Sequence, residues 1–393
     1  MWPRPLPLHL MSGMMSQTAT SLLGQTLSLE APDPQKLAEM MAVASQALTQ
    51  PEKGAEAAQQ VQQGVAEMLR GIELYQRHGW QRPQSQAALV WQQGAARLLD
   101  FGGEGARCLV VPSLVNRSDV LDLTPERSLM QWLAEQGTVR PMMLDWGGPG
   151  DAERSYGLSD YITGPLCDAL EMVTAQAEGP VDLVGYCMGG DLALAAAQLW
   201  PDRVRRLVLL ATPWDFHADL SPGGKMFADN IAMWQPVLDA MGELPVDLLQ
   251  AFFASLDPGL VQRKFARFAS MDMNGPDTHH FVAVEDWVND GVALAPRVAM
   301  ETLGGWFRDN STARGRWLVD GTVIDPAKVG CPAFVAIPSK DRIVPPASSE
   351  PLAAALPDVT VHHPGAGHIG MIVSGKARQE LWQPLQAWFT DTA

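Results

Sequence analysis

Residues 181–198 read VDLVGYCMGGDLALAAAQ, an apolar run, a glycine-rich turn carrying Cys187, and then an Ala- and Leu-rich stretch of helical texture. A cysteine on a sharp strand-to-helix turn is placed for nucleophilic chemistry. Gly185 and Gly189 flank it in G-x-C-x-G spacing, where the missing side chains let neighbouring backbone pass close to the turn. The N-terminus of the following helix favours a thiolate, and the backbone N–H of Met188 is offered to a developing oxyanion. A structural cysteine buried in a glycine-rich turn is the simpler alternative. Strand, turn, glycines and helix all agree on the reactive one.

A thiol nucleophile needs a base, and the base needs a group to orient it. Near the C-terminus Asp341 follows the apolar run PAFVAIPS, and His368 lies in the glycine-rich segment GAGHIG after the run VTVHHP. Cys187 and Asp341 are 154 residues apart, and Asp341 and His368 are 27 apart. Nucleophile, acid and histidine in that order match the α/β-hydrolase fold. His362 and His363 are rivals for the base, but they fall inside the expected strand, one pointing inward and one to solvent, so a structural role is expected for both. Asp145, in LDWGGPGD, also ends a strand. It precedes the nucleophile, so it is expected to stabilise a turn or shape the pocket. The second oxyanion donor is expected in the turn 113–117, SLVNR, where the N–H of Val115 or of Asn116 is the candidate.

These side chains need a scaffold, and the texture from residue 85 onward supplies one. Short apolar runs at 108–114, 139–146, 181–186, 204–212, 332–339 and 359–364 each read as a buried strand ending in a turn. Helix-length patterns separate the first four, which predicts an α/β fold with a mostly parallel central sheet and helices on both faces. Residues 213–329 lack clear strand signals and are dense in Trp, Met and Phe, the mark of an inserted, mainly helical cap. Ahead of this catalytic region, 85–393, lie a tail over 1–35 expected to be disordered and a helical extension over 36–84. Apolar spacing there predicts two helices, at 36–49 and 54–78, separated by Pro51. The pair is expected to pack on the main domain or on another subunit.

Composition narrows the partners. The 393 residues are 47% hydrophobic and 18% charged, which suits a globular protein, and the formal net charge of −16 repels phosphate backbones and anionic lipid heads. Nucleic acid is not an expected partner. Four scattered cysteines without C-x-x-C spacing argue against a zinc site or a disulfide scaffold and for a reduced, cytoplasmic compartment. A run of about 18 apolar residues is absent, so a membrane span is not expected. The opening segment lacks the continuous apolar stretch of a secretory signal, and Met11, Met14 or Met15 could be the true start.

Several segments together resemble one family, the polyhydroxyalkanoate synthases, in particular the short type that acts with a separate partner subunit. The resemblance is carried by LVNRSDVLDLTPERSLMQWLAEQG at 114–137, LDWGGPGDAERSYGLSDYI at 144–162, PDRVRRLVLLATPWDF at 201–216, KDRIVPPASSEPL at 340–352 and GAGHIGMIVSGKA at 365–377, and it covers roughly residues 85–390. It implies an α/β-hydrolase-like acyltransferase that polymerises 3-hydroxyacyl-CoA into a polyester and releases CoA. The CoA thioester is then a substrate, and no cofactor is expected. On that model Cys187 carries the acyl group, His368 is the general base, and Asp341 orients His368 or helps activate the incoming hydroxyl. The implied partners are the growing polyester and a small helical subunit or further copies of the chain, at the polymer granule surface. The cap aromatics Trp214, Phe216, Trp234, Phe252, Phe253, Trp287, Trp306 and Phe307 offer an apolar tunnel, and each is equally explained as the cap's own core.

Two positions depart from the family pattern: Asp191 stands where Thr is usual, and Arg342 where His is frequent. A carboxylate at Asp191 raises the Cys187 pKa if it points at the thiol, and Arg342 is a possible contact for CoA phosphates. The same triad also serves a thioesterase or polyester depolymerase, with water in place of the hydroxyacyl nucleophile. A non-catalytic granule protein would be expected to carry a degenerate triad, whereas all three residue types are present.

Overall fold

Alternating apolar runs and helix-length segments fold into a sheet with crossover helices, as their periodicity requires. The computed structural model describes residues 51–256 and 259–391. The tail over 1–35 and the helix expected over 36–49 lie outside the described residues. The strands are β1 (Ala88–Gln93), β2 (Ala96–Asp100), β3 (Ala106–Val111), β4 (Val139–Asp145), β5 (Val181–Tyr186), β6 (Val204–Leu210), β7 (Leu318–Val319), β8 (Thr322–Val323), β9 (Ala333–Ala336) and β10 (Val359–His362). Eight of them form one sheet in the order β1-β2-β4-β3-β5-β6-β9-β10, and β7 and β8 form a separate hairpin. In the large sheet the pairs β1–β2 and β2–β4 are antiparallel and all the others are parallel, so β2 alone runs against the rest.

Each of the six runs expected from the sequence overlaps a strand of this sheet; the strand of the first run, β3, starts two residues before it. The hairpin of β1 and β2 was not expected: β1, ALVWQQ, is exposed or half-exposed at every position and shows no alternation, only a short apolar run at 87–91. β5 is its opposite, buried at all six positions as a central strand covered on both faces must be. From β3 the chain crosses to β4 on one side, and β5 then lies on the other. This reversal opens a crevice beyond the carboxyl ends of the strands, the usual ligand position in such sheets.

The helices used below are α1 (Pro51–Arg77), α2 (Leu129–Gln136), α3 (Cys167–Ala177), α4 (Met188–Leu199), α5 (Pro222–Asp229), α6 (Val246–Leu256), α7 (Leu260–Phe268), α8 (Pro276–Asn289), α9 (Pro346–Ala355) and α10 (Gln383–Asp391). Among the described residues the chain divides into two compact units, one holding 51–80 and 259–282, the other 81–256 and 283–391. In the first, α1 begins at Pro51, whose missing N–H costs nothing at a helix start. Met68, Ile72 and Tyr75 of α1 form a small core with Phe265 and Phe268 of α7. The helices approach so closely at Gly71 that a Cβ there would lie 1.9 Å from the Phe265 carbonyl oxygen.

The second unit holds the large sheet. Its centre is fastened by a buried ion pair: Asp182 of β5 accepts from Arg206 of β6 at 2.8 and 2.6 Å and from Arg205 at 3.0 and 2.7 Å. Arg206 also donates to the Phe389 carbonyl in α10 at 2.6 Å. Removing one member of a buried pair leaves the other charged and unsolvated, which costs about 3–5 kcal/mol. Asp182→Leu is therefore expected to lower the urea midpoint by that equivalent. A midpoint within error of wild type would show that this cluster does not hold β5 to β6. Among the described residues no helix is long and apolar enough to cross a membrane.

Candidate active site

The elbow forms as its glycines require. Cys187 follows β5 with φ 55° and ψ −130°, a backbone conformation rare for a residue with a Cβ, and is the N-cap of α4. A Cβ on Gly185 would lie 2.4 Å from the Gly190 Cα, and one on Gly189 would lie 2.2 Å from the Val111 carbonyl oxygen. The turn is pinned by the Cys187 N–H donating to the Leu210 carbonyl of β6 at 2.8 Å and by the Gly190 N–H donating to the Cys187 carbonyl at 2.8 Å.

Asp341 and His368 meet because the loops after β9 and β10 are zipped together. Ile337 N–H donates to the His362 carbonyl at 2.8 Å, Ser339 to Pro364 at 2.9 Å and Lys340 to Ala366 at 3.0 Å. His368 Nδ1 then donates to Asp341 Oδ2 at 2.6 Å. Asp341 Oδ1 accepts from the N–H groups of Ile343 and Val344 at 2.8 and 2.9 Å, which fixes the carboxylate plane. Both side chains are buried. Burial opposes a charged imidazole, but the Asp341 charge, then that of the Cys187 thiolate, and hydrogen bonds to both outweigh it, so His368 titrates well above its ordinary range. Tyr186, which sequence reasoning passed over, backs this histidine. Its ring lies 5.3 Å from the imidazole and its hydroxyl donates to the His368 carbonyl at 3.4 Å. Its only signal in the sequence is its place just before the nucleophile.

The rival residues sit elsewhere. His362 bonds to the Glu380 carbonyl and stacks on Phe334, and His363 is exposed. Asp145 accepts from Arg97 at 3.2 Å and from the Gly147 N–H at 3.2 Å, stabilising its turn. Met188 and Val115 both line the cavity beside Cys187. The Val115 N–H donates to Ser113 Oγ at 3.1 Å, a local turn bond that spacing alone does not reveal, whereas Asn116 is not among the residues lining the cavity.

That cavity has a volume of about 370 Å³. Of the eight cap aromatics, Phe216, Phe252, Phe253, Trp306 and Phe307 line it, while Trp214 and Trp287 belong to packing elsewhere and Trp234 stacks on Phe227. Arg342 lines it together with the carboxylates Asp215, Asp219 and Asp341.

Asp191 is four residues after Cys187 and so shares its face of α4. It is wholly buried, and neither carboxyl oxygen has a hydrogen-bond partner. Burial first, and the nearby Cys187 charge second, push its pKa well above the carboxylate range. An unfolded Asp ionises near pH 3.9. Above that pH the folded chain therefore binds one more proton than the unfolded chain, and stability drains as pH rises, by up to about 1.4 kcal/mol per pH unit, until the folded pKa is reached. Asp191→Thr removes this term and supplies a hydroxyl that can bond back along the helix. The variant is expected to match wild type below pH 4 and to be about 1–3 kcal/mol more stable at pH 7. Parallel denaturation curves across that range would show that Asp191 is ionised in the folded protein.

Comparison with known proteins identifies the family and the fold. Residues 109–374 match the family model described as the alpha/beta hydrolase fold. A poly(3-hydroxyalkanoate) polymerase subunit PhaC from Thiocystis violacea is 32% identical over 291 residues, covering 72% of this chain and 80% of the relative. One from Haloferax mediterranei is 28% identical over 313 residues, covering 77% of this chain, which spans only 63% of that relative's length. Among solved structures, a thermophilic esterase from Thermogutta terrifontis superposes with a TM-score of 0.50 at 20% identity, covering 80% of this chain and 99% of the esterase.

Proposed function

The chain belongs to the α/β-hydrolase fold family and, within it, to the poly(3-hydroxyalkanoate) polymerases, and from that membership we propose that it builds polyester from 3-hydroxyacyl-CoA on Cys187. The observation that carries this reading is a thiol at the elbow facing an imidazole that is itself buttressed by a buried carboxylate. In the first half-reaction Cys187 Sγ attacks the thioester carbonyl, its proton passing to His368. The new C–S bond forms as the bond to CoA sulfur breaks, and the CoA thiolate leaves with the proton from His368. One thioester replaces another, so this step is nearly neutral in energy. In the second, the 3-hydroxyl of a further unit gives its proton to His368 and attacks the Cys187 acyl group. A C–O bond forms, the C–S bond breaks and the thiol is restored. The N–H of Met188, with a second N–H from the turn holding Val115 and Asn116, stabilises the oxyanion of each step.

The apolar lining of the cavity favours a hydroxyacyl nucleophile over water. The test is CoA release from 3-hydroxybutyryl-CoA by the full chain, alone and with a helical partner subunit, with the acyl product sized. Long polyester is the expected product. Stoichiometric free hydroxy acid would convert the reading to a thioesterase on the same triad.

A further inference from the structure

We propose that Trp287 is a positioning residue for acyl transfer: its indole N–H holds in place the turn that carries the second oxyanion donor, so the donor is set only where the cap is seated on that turn. This rests on the acyl-transfer reading above. The turn leaves β3 as PSLVNR, residues 112–117. Its local bond, from the Val115 N–H to Ser113 Oγ, spans two residues and does not fix where the turn points. What fixes it reaches in at either end.

At the start, the Trp146 indole, just after β4, donates to the Pro112 carbonyl at 2.9 Å. The elbow packs on the same carbonyl so closely that a Cβ on Gly189 would lie 2.4 Å from its oxygen. At the end, the Trp287 indole of α8 donates to the Arg117 carbonyl at 2.7 Å. Two further contacts come from the same stretch of the cap: Asp290 lies 2.6 Å from the Arg117 guanidinium, and a Cβ on Gly291 would lie 3.5 Å from Asn116 Oδ1. The ion pair is partly exposed and worth little. Trp287 is buried, so its bond to the turn is the stronger fastening. Sheet and elbow thus hold one end of the turn, and the cap holds the other. That hold is itself braced, because Gln250 of α6 donates to the Val288 carbonyl at 2.9 Å, tying the end of α8 to the helix whose Phe252 lines the cavity.

An oxyanion donor acts only at about 2.7–3.1 Å, and a displacement of about 1 Å costs about a hundredfold. The test uses the full chain and a 3-hydroxyacyl-CoA that the wild type turns over. Trp287→Phe is expected to lower kcat and kcat/KM for CoA release in equal measure, by about 10- to 100-fold. Trp287→benzothienylalanine, which keeps both rings and puts sulfur where the N–H stood, is expected to do the same. Alkylation of Cys187 by iodoacetamide, read on the Cys187 peptide by mass spectrometry, forms no oxyanion and is expected to stay within about twofold of wild type. Trp234→Phe is the matched control: this cap indole stacks on Phe227 with its N–H unpartnered among the described residues, so both rates are expected to hold. CoA release at the wild-type rate in the benzothienylalanine variant, or alkylation lost in proportion to CoA release, overturns the role given to Trp287 and leaves acyl transfer in place. Absence of Cys187-dependent CoA release by the wild type from short and long 3-hydroxyacyl-CoA, with and without a partner subunit, removes the acyl-transfer reading and this role with it.

Discussion

Cys187→Ala is expected to lose at least about 10⁴-fold in CoA release, because the acyl group then has no atom to reside on and only binding and the oxyanion donors remain. The substitution is mild for the fold, since the elbow is held by backbone bonds to Leu210 and Gly190 that do not involve the thiol. A melting temperature close to wild type should therefore accompany the loss. Cys187→Ser separates two ideas. It keeps the shape and a nucleophile of sorts, but its acyl form is an oxygen ester without the activation of a thioester, so it is expected to acylate and then stall. Sustained turnover by either variant would place the chemistry on another residue.

Asp341→Asn is expected to be nearly as damaging, by about 10⁴-fold in kcat. Asp341 is committed on both oxygens, one accepting from His368 and the other from two backbone N–H groups. An amide must turn its NH₂ toward one of these donors, which either forces the wrong imidazole tautomer or opens the loop. The pH profile distinguishes loss of charge from loss of shape. The Asp341 charge is the largest influence raising His368, so without it the imidazolium gives up its proton at lower pH. The limb of the imidazole NMR titration in which His368 gives up its proton should move to lower pH in the variant. An unmoved limb would mean that Asp341 supports the loop and does not tune the histidine.

How much of this was visible in the residues follows from what each feature depends on. The elbow was legible because its requirements are local: Gly185 and Gly189 are demanded by backbone approaches of 2.4 and 2.2 Å, and no other residue type fits. The triad order was legible because the sheet sets the sequence of strand ends. The choice between Val115 and Asn116 was not, since it turns on where the N–H groups of a loop point, and one of them is already bonded to the Ser113 hydroxyl. The hairpin of β1 and β2 escaped because an edge strand that buries little leaves no hydrophobic period. Asp191 was noticed as a departure, but only its wholly buried surroundings give the direction in which its pKa moves. The aromatics of the cap could not be sorted by type. Phe252 and Trp234 look alike in the chain, and only the folding of α6 over the elbow makes one of them a wall of the cavity.

The zipped loops that join Asp341 to His368 also set a clock on synthesis. Cys187 is made 181 residues before His368, an interval of about 10–40 s at translation rates of roughly 5–20 residues per second. Through that time the thiol exists on the growing polypeptide without an imidazole to take its proton, because β9 and β10 and the loops beyond them are still to come. A nascent or prematurely ended chain is thus chemically quiet, and acyl-CoA is drawn down only by molecules whose last strands have left the ribosome and docked.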